Sequence, residues 1–106
     1  MNKFYNFLGI AKRSGNLLEG YSKCNDERNR KEIFLFIISN DASESTKKKF
    51  INHCNNKNIY YIQDFSKDEL GEAIGRLEVK IIGILDRNMA QKLISIYESE
   101  ENSMSK

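Results

Sequence analysis

The run Ile33-Phe-Leu-Phe-Ile-Ile38 limits the possible folds more than any other stretch of the chain. Successive side chains of a strand point to opposite faces, so an apolar run without alternation is a strand covered on both sides. That is the pattern of a sheet sandwiched between helices. Two further apolar runs, Ile59–Ile62 and Val79–Leu85, predict strands of the same sheet, and "NLLEG" (Asn16–Gly20) predicts a very short one.

Helical spacing fills the intervals. Phe4, Phe7, Leu8 and Ala11 predict a helix over Lys3–Lys12, stopped by Ser14-Gly15. A second helix over Tyr21–Arg30 has only Tyr21 and Cys24 as apolar residues, and 25–31 is unbroken polar sequence, expected to be mobile. Asp41 or Ser43 caps the third, which buries Phe50, Ile51 and Cys54; Asp41 with Glu44 has the spacing of a capping box. Ser66 with Glu69 has the same spacing and opens a helix through Leu70, Ala73 and Ile74. Asp86 caps a last helix packed through Ala90, Leu93, Ile94 and Tyr97. The expected architecture is a three-layer α/β/α sandwich with a central sheet of about four strands. Without proline or a Gly/Ser linker, 106 residues read as one domain over residues 1–98, followed by a flexible acidic tail over 99–106.

Composition narrows the functional classes. No apolar run approaches the roughly 20 residues of a membrane helix, and the N-terminus has no secretory h-region, so a cytoplasmic protein without a membrane partner is expected. Two cysteines without a CxxC pair and a single histidine, His53, make no zinc set, and a disulfide is not expected. His53 reads as an ordinary surface or partly buried residue. There is no GxxxxGK[ST] or GxGxxG loop. Gly71 and Gly75 fit close packing and a helix C-cap. A phospho-accepting aspartate after the Phe34–Asp41 strand would need a second acidic cluster, and only Glu19 lies near the end of the first strand. No enzyme, cofactor, metal or small-molecule substrate is expected. The net charge of +2 is too mild to indicate nucleic acid unaided.

Five strings in order carry more: "FLGIAKRSGNLLEG", "NDASESTKKKF", "HCNNKNIYYI", "DELGEAIGR" and "IIGILDRNMAQKLISI", reaching from Phe7 to Ile96. As a set they resemble the kink-turn RNA-binding ribosomal proteins, comprising archaeal seven-Ae, eukaryotic thirty-e and, most similar in these strings, the small bacterial relatives of the YlxQ type. The resemblance implies a non-catalytic protein that binds structured RNA, including kink-turn or ribosomal RNA, across one end of the sandwich. Mapped residue by residue, it implies contacts from Gly20, Ser22, Lys23 and Asp26 at the second helix and from Ser43 and Lys47 at the third. Lys67 joins them at the fourth helix, with Arg76, Leu77 and Val79 in the loop before the last strand. These are expected to form a contiguous basic surface with Leu77 and Val79 as its apolar edge. The family pattern Gly-x-Asn-Glu-x-x-Lys reads here Gly20-Tyr21-Ser22-Lys23-Cys24-Asn25-Asp26. Both charged positions are inverted: Lys23 only donates where glutamate accepts, and Asp26 repels phosphate where lysine attracts it. The alternative is a protein-interaction module of the same fold that has lost RNA recognition.

Overall fold

The structure, a computed structural model, describes residues 2–104. In chain order the elements are α1 (Asn2–Arg13), β1 (Leu17–Glu19), α2 (Tyr21–Glu27), β2 (Leu35–Ile38), α3 (Glu44–Lys57), β3 (Tyr60–Ile62), α4 (Lys67–Ile74), β4 (Ile81–Ile84) and α5 (Arg87–Met104). The strands form one sheet in the order β1-β4-β2-β3. β2 runs parallel to β3 and antiparallel to β4, which is antiparallel to β1.

β2 divides its side chains between two cores. Leu35 and Ile37 pack with Phe4 and Leu8 of α1, Leu70 and Ile74 of α4, and Leu93 of α5. Phe36 and Ile38 point the other way, onto Cys24 of α2 and Phe50 and Cys54 of α3. The expected α/β/α sandwich is therefore present, with three helices on one face and two on the other. Gly83 of β4 lies opposite Phe36, and a side chain there would meet the Phe36 ring and Ile33 at 3.4 Å. Its missing Cβ makes room for the largest residue of β2.

Local sequence explains most boundaries. Ser66 caps α4 by accepting from the Glu69 N–H, and the Glu69 carboxylate accepts from the Ser66 N–H, the reciprocal pair its spacing predicts. Gly75 ends α4 at φ 78°, a left-handed conformation that suits glycine. Asp86 accepts from the Met89 N–H and opens α5.

Other boundaries differ from the sequence reading. Ser43 caps α3 by accepting from the Thr46 N–H, so the Asp41–Glu44 capping box is not formed. α2 ends at Glu27 rather than Arg30, and the last strand begins at Ile81 rather than Val79. Val79 is buried without joining the ladder, because its N–H donates to the Lys67 carbonyl of α4 at 3.1 Å. α5 continues helical to Met104, into the segment where the sequence predicts a tail; residues 105–106 lie outside the described residues.

His53 is buried at 6% exposure, edge-on to Phe36 and with Nδ1 3.4 Å from Arg28 Nη1. Burial lowers its pKa, and the charges of Arg28 and Lys57 lower it further, so it is a neutral core residue. Burial likewise pushes the Cys24 and Cys54 thiols up to about 12, which leaves both inert.

Gly71 shows how tightly the loop before β4 is seated. A Cβ on it would lie 2.6 Å from Glu78 Cα and 2.8 Å from the Arg76 carbonyl oxygen, both backbone atoms. Gly71→Ala is expected to cost about 1–3 kcal/mol by overpacking, and Leu93→Ala about 2–5 kcal/mol by cavity formation. Urea denaturation measures both; wild-type midpoints for the two variants would contradict this packing.

Candidate nucleic-acid interface

Four backbone hydrogen bonds knit distant segments together at the end of the sheet where β2 finishes. The Ser39 N–H donates to the Lys80 carbonyl at 2.7 Å, and the Asn40 N–H donates to the Phe65 carbonyl at 2.8 Å. The Gly20 N–H donates to the Ile81 carbonyl at 2.8 Å, and the Val79 N–H reaches Lys67 as described. The start of α2, the turn from β2 to α3, the start of α4 and the loop before β4 therefore share one end of the sandwich.

Gly20 sits at the N-cap of α2 with φ 92°, a conformation that disfavours other residues, and no side chain caps the helix. A Cβ on Gly20 would meet Arg76 Nη1 at an ordinary contact distance of 3.5 Å, so the backbone angle rather than space is what favours glycine here. Ser22 and Lys23 are exposed in the first turn of α2. Asp26 is exposed on the same helix, three residues after Lys23 and so on the same face.

Asp41, read from sequence as a helix cap for α3, serves α4 instead. Its Oδ1 accepts from the Lys67 backbone N–H at 3.0 Å, bridging the turn after β2 to the start of α4. Desolvation pushes its carboxyl up, but the Lys67 N–H, Ser39 and the Lys67 charge outweigh it and hold the pKa below the usual carboxylate value. The Ser39 hydroxyl lies near enough to act on this carboxyl but makes no hydrogen bond of good geometry.

Three of the four cations expected at this end are paired, Lys23 being the exception among the described residues. Lys67 Nζ lies 3.3 Å from Glu78 Oε2, and hydrogen bonding to that carboxylate raises the lysine pKa. Arg76 Nη1 lies 3.7 Å from Glu19, which also holds Lys12 at 2.7 Å. Lys47 Nζ lies 3.8 Å from Glu44. Lys23, Lys48 and Lys80 are exposed without an ion-pair partner among the described residues. The end is thus a mosaic of both signs rather than the uniformly basic surface read from sequence.

The three consecutive lysines of α3 separate into three environments. Lys47 turns to Glu44, Lys48 faces solvent, and Lys49 packs on α2. Lys49 Nζ donates to the Tyr21 hydroxyl at 2.6 Å and lies 5.1 Å from the centre of its ring. The sequence reading missed this tie because it joins residues 28 apart. It missed Glu19 and Lys80 as members of this end for the same reason.

Leu77 and Val79 do not act alike. Leu77 is 94% exposed at the tip of the loop, whereas Val79 is 3% exposed and offers no surface. The apolar edge expected of both is therefore Leu77 alone. Among the described residues, no cluster of three His, Cys, Asp or Glu could hold a metal ion, and no helix is long and apolar enough to cross a membrane.

The chain is similar to known proteins over most of its length. The profile of the ribosomal protein L7Ae/L30e/S12e/Gadd45 family matches residues 2–94. A protein named RNA-binding protein YlxQ from Enterococcus faecium is 35% identical over 97 residues, covering 91% of this chain and 92% of that protein. Its namesake from Bacillus subtilis (strain 168) is 28% identical over 96 residues, covering 91% and 96%. A solved protein of unknown function from Bacillus halodurans superposes with a TM-score of 0.86 at 31% identity, covering 92% of this chain and 99% of that one. A 15.5 kD RNA-binding protein from Giardia lamblia shares the fold, with a TM-score of 0.73 at 20% identity and coverage of 90% and 84%.

The Asp41–Lys67 bond gives this end a pH dependence. A depressed folded-state pKa contributes stability above the unfolded value of roughly 3.9, and loses it as pH falls through the folded value. Exchange of the Lys67 amide is expected to accelerate relative to the core amides of β2 on acidification below about pH 4. Asp41→Ala should accelerate it already at neutral pH, and Asp41→Asn should remove the acid dependence. A Lys67 amide indifferent to Asp41→Ala would show that the bridge does not hold α4.

Proposed function

The chain belongs to the ribosomal protein L7Ae/L30e/S12e/Gadd45 family, and from that premise we propose that it is a non-catalytic protein that binds structured RNA. The family and the relatives carry the names of ribosomal and RNA-binding proteins, not of enzymes. The proposed site is the end formed by Gly20, Ser22, Lys23, Ser43, Lys47, Lys67, Arg76 and Leu77, with Asp26 at its margin. Kink-turn or ribosomal RNA in the cytoplasm is the proposed partner.

Leu77 is the observation that carries this reading. A leucine exposed to 94% at the tip of a loop gains nothing from the fold. Its loop is nonetheless fixed, closed against Gly71 and hydrogen-bonded to α4 through Val79. A rigidly presented apolar side chain next to Arg76, whose guanidinium lies near Gly20, suits the bases and riboses that folded RNA splays outward, which proteins recognise by shape and stacking. Lys23, without an ion-pair partner among the described residues, supplies a positive charge for phosphate. Lys67 and Lys47 reach phosphate by exchanging the exposed carboxylates Glu78 and Glu44, and such pairs contribute at most about 1 kcal/mol. Arg76 shares the half-buried Glu19 with Lys12, so that carboxylate keeps a partner when Arg76 turns to phosphate.

The inversion at Lys23 and Asp26 relaxes the preference for a kink-turn. Lys23 has no lone pair for a guanine edge, so this position reads phosphate rather than base.

Binding of a kink-turn hairpin and of a plain duplex across a salt series tests the proposal. The hairpin is expected to bind tighter, with affinity falling as salt rises. Lys23→Ala and Arg76→Ala should each reduce the salt slope by about one. Asp26→Lys should tighten binding, and Leu77→Ala should weaken it without altering the slope. Salt-independent binding, with Lys23→Ala and Asp26→Lys both without effect at low salt, would favour a protein-interaction module on the same fold.

A further inference from the structure

At the opposite end of the sheet, where β2 begins, the surface opens into a groove of about 560 Å³. Its walls come from the segment after α2, the start of β2, the end of α3, the start of β3 and the first turns of α5. Arg28, Lys31, Lys57 and Arg87 line it against one carboxylate, Glu32. That leaves a net +3 in the groove, more than the +2 of the whole chain.

The contrast with the family's end lies in the pairing. None of these four cations has an ion-pair partner among the described residues. Arg87 is held over the Phe34 ring, 5.2 Å from its centre, and Arg28 Nε is buried without a hydrogen-bond partner among the described residues. The charges of Arg28 and Lys57 are felt inside the protein, where they add to burial in lowering the His53 pKa. The carbonyl end of the α3 dipole, unfavourable to anions, is offset by Lys57 in its own last turn. Another carboxylate, Glu98, accepts a hydrogen bond from the Tyr60 hydroxyl, and Tyr60 is a lining residue. Unpaired like charges gathered in one groove repel one another, and an arriving anion relieves that repulsion.

We propose that this groove is a second RNA site, holding a single-stranded segment by its phosphates and stacking bases on Tyr60 and on the Arg87–Phe34 platform. The exposed guanidinium fork of Arg87 suits phosphate oxygens, while Arg28, with Nε buried and Nη1 toward His53, adds charge to the groove wall. Partly exposed aromatic and guanidinium faces accept any base, which is how proteins hold single strands without reading their sequence. An acidic peptide would satisfy the cations but leave these stacking faces unused. The choice of RNA over another polyanion rests on the RNA reading of the opposite end, whereas the groove itself does not. A protein gripping RNA at both ends of its sheet would hold a folded element with one and its single-stranded flank with the other.

The test uses the full chain and two probes, a ten-nucleotide oligouridylate and a kink-turn hairpin without overhangs. Contact with about four phosphates gives the oligouridylate a log–log salt slope of roughly −3. Lys31→Glu with Lys57→Glu, both exposed positions, should weaken oligouridylate at least tenfold and leave hairpin affinity unchanged. The neutral pair Lys31→Gln with Lys57→Gln should weaken it less, and Arg87→Ala should also weaken it. Groove-dependent oligouridylate binding with no hairpin binding would sustain the groove and end the kink-turn reading of the other site. Absent oligouridylate binding, or equal binding by wild type and both double variants, would overturn the groove whatever the hairpin does. Equal competition by a ten-residue polyglutamate would overturn the assignment to RNA in favour of an acidic protein partner.

Discussion

The burial of β2 on both faces is the constraint from which the other features follow. Its four side chains are fully buried, two in each core. Burying each large aliphatic or aromatic side chain contributes about 1.5–3 kcal/mol, and that gain requires helices on both sides of the sheet. β4 and β3 flank β2 and satisfy its backbone. With both faces occupied by helices, the surface left for ligands includes the two ends of the sheet, where the connections gather.

The two ends have been resolved differently by the same fold. At the finish of β2 the loops are bonded to one another through Ser39, Asn40, Asp41 and Val79, and the cations Lys47, Lys67 and Arg76 face carboxylates. That end is tied together by hydrogen bonds and carries both signs of charge, and the RNA contact proposed for it uses Leu77 as its apolar surface. At the start of β2 the cations have no ion-pair partner among the described residues and line an open groove. That end is suited to holding charge. Net charge summed over the chain hides this division, since the two ends differ far more than a total of +2 suggests.

Signals confined to a few neighbouring residues were legible in the sequence. The Ser66–Glu69 reciprocal cap and Asp86 act within one turn and form as their spacing predicts, and the apolar run at Ile33–Ile38 yields a strand buried on both faces, though only over Leu35–Ile38. Where two local solutions compete, tertiary contact decides. Ser43 and Asp41 both offer an acceptor for α3, and the Lys67 N–H draws Asp41 away. Val79 reads as a strand residue because it is β-branched beside an apolar run, yet its N–H goes to α4 and its side chain to the core. The proposed end was legible as a set of segments through family resemblance, but the pairing of its cations was not. Glu19 lies 57 residues before its partner Arg76 and Glu78 lies 11 after Lys67, and nothing local marks either carboxylate as a partner. The groove left no signal in sequence, because its walls are drawn from segments around residues 28–34, 57–60 and 87–94.

Backbone amide chemical shifts followed while a kink-turn hairpin is titrated into the labelled protein test the central claim most directly. The account predicts that the largest changes fall together on residues 20–23, 40–43 and 75–78, the three segments that the end of β2 draws into one surface. Changes absent from those segments, or spread evenly over exposed amides, would contradict it.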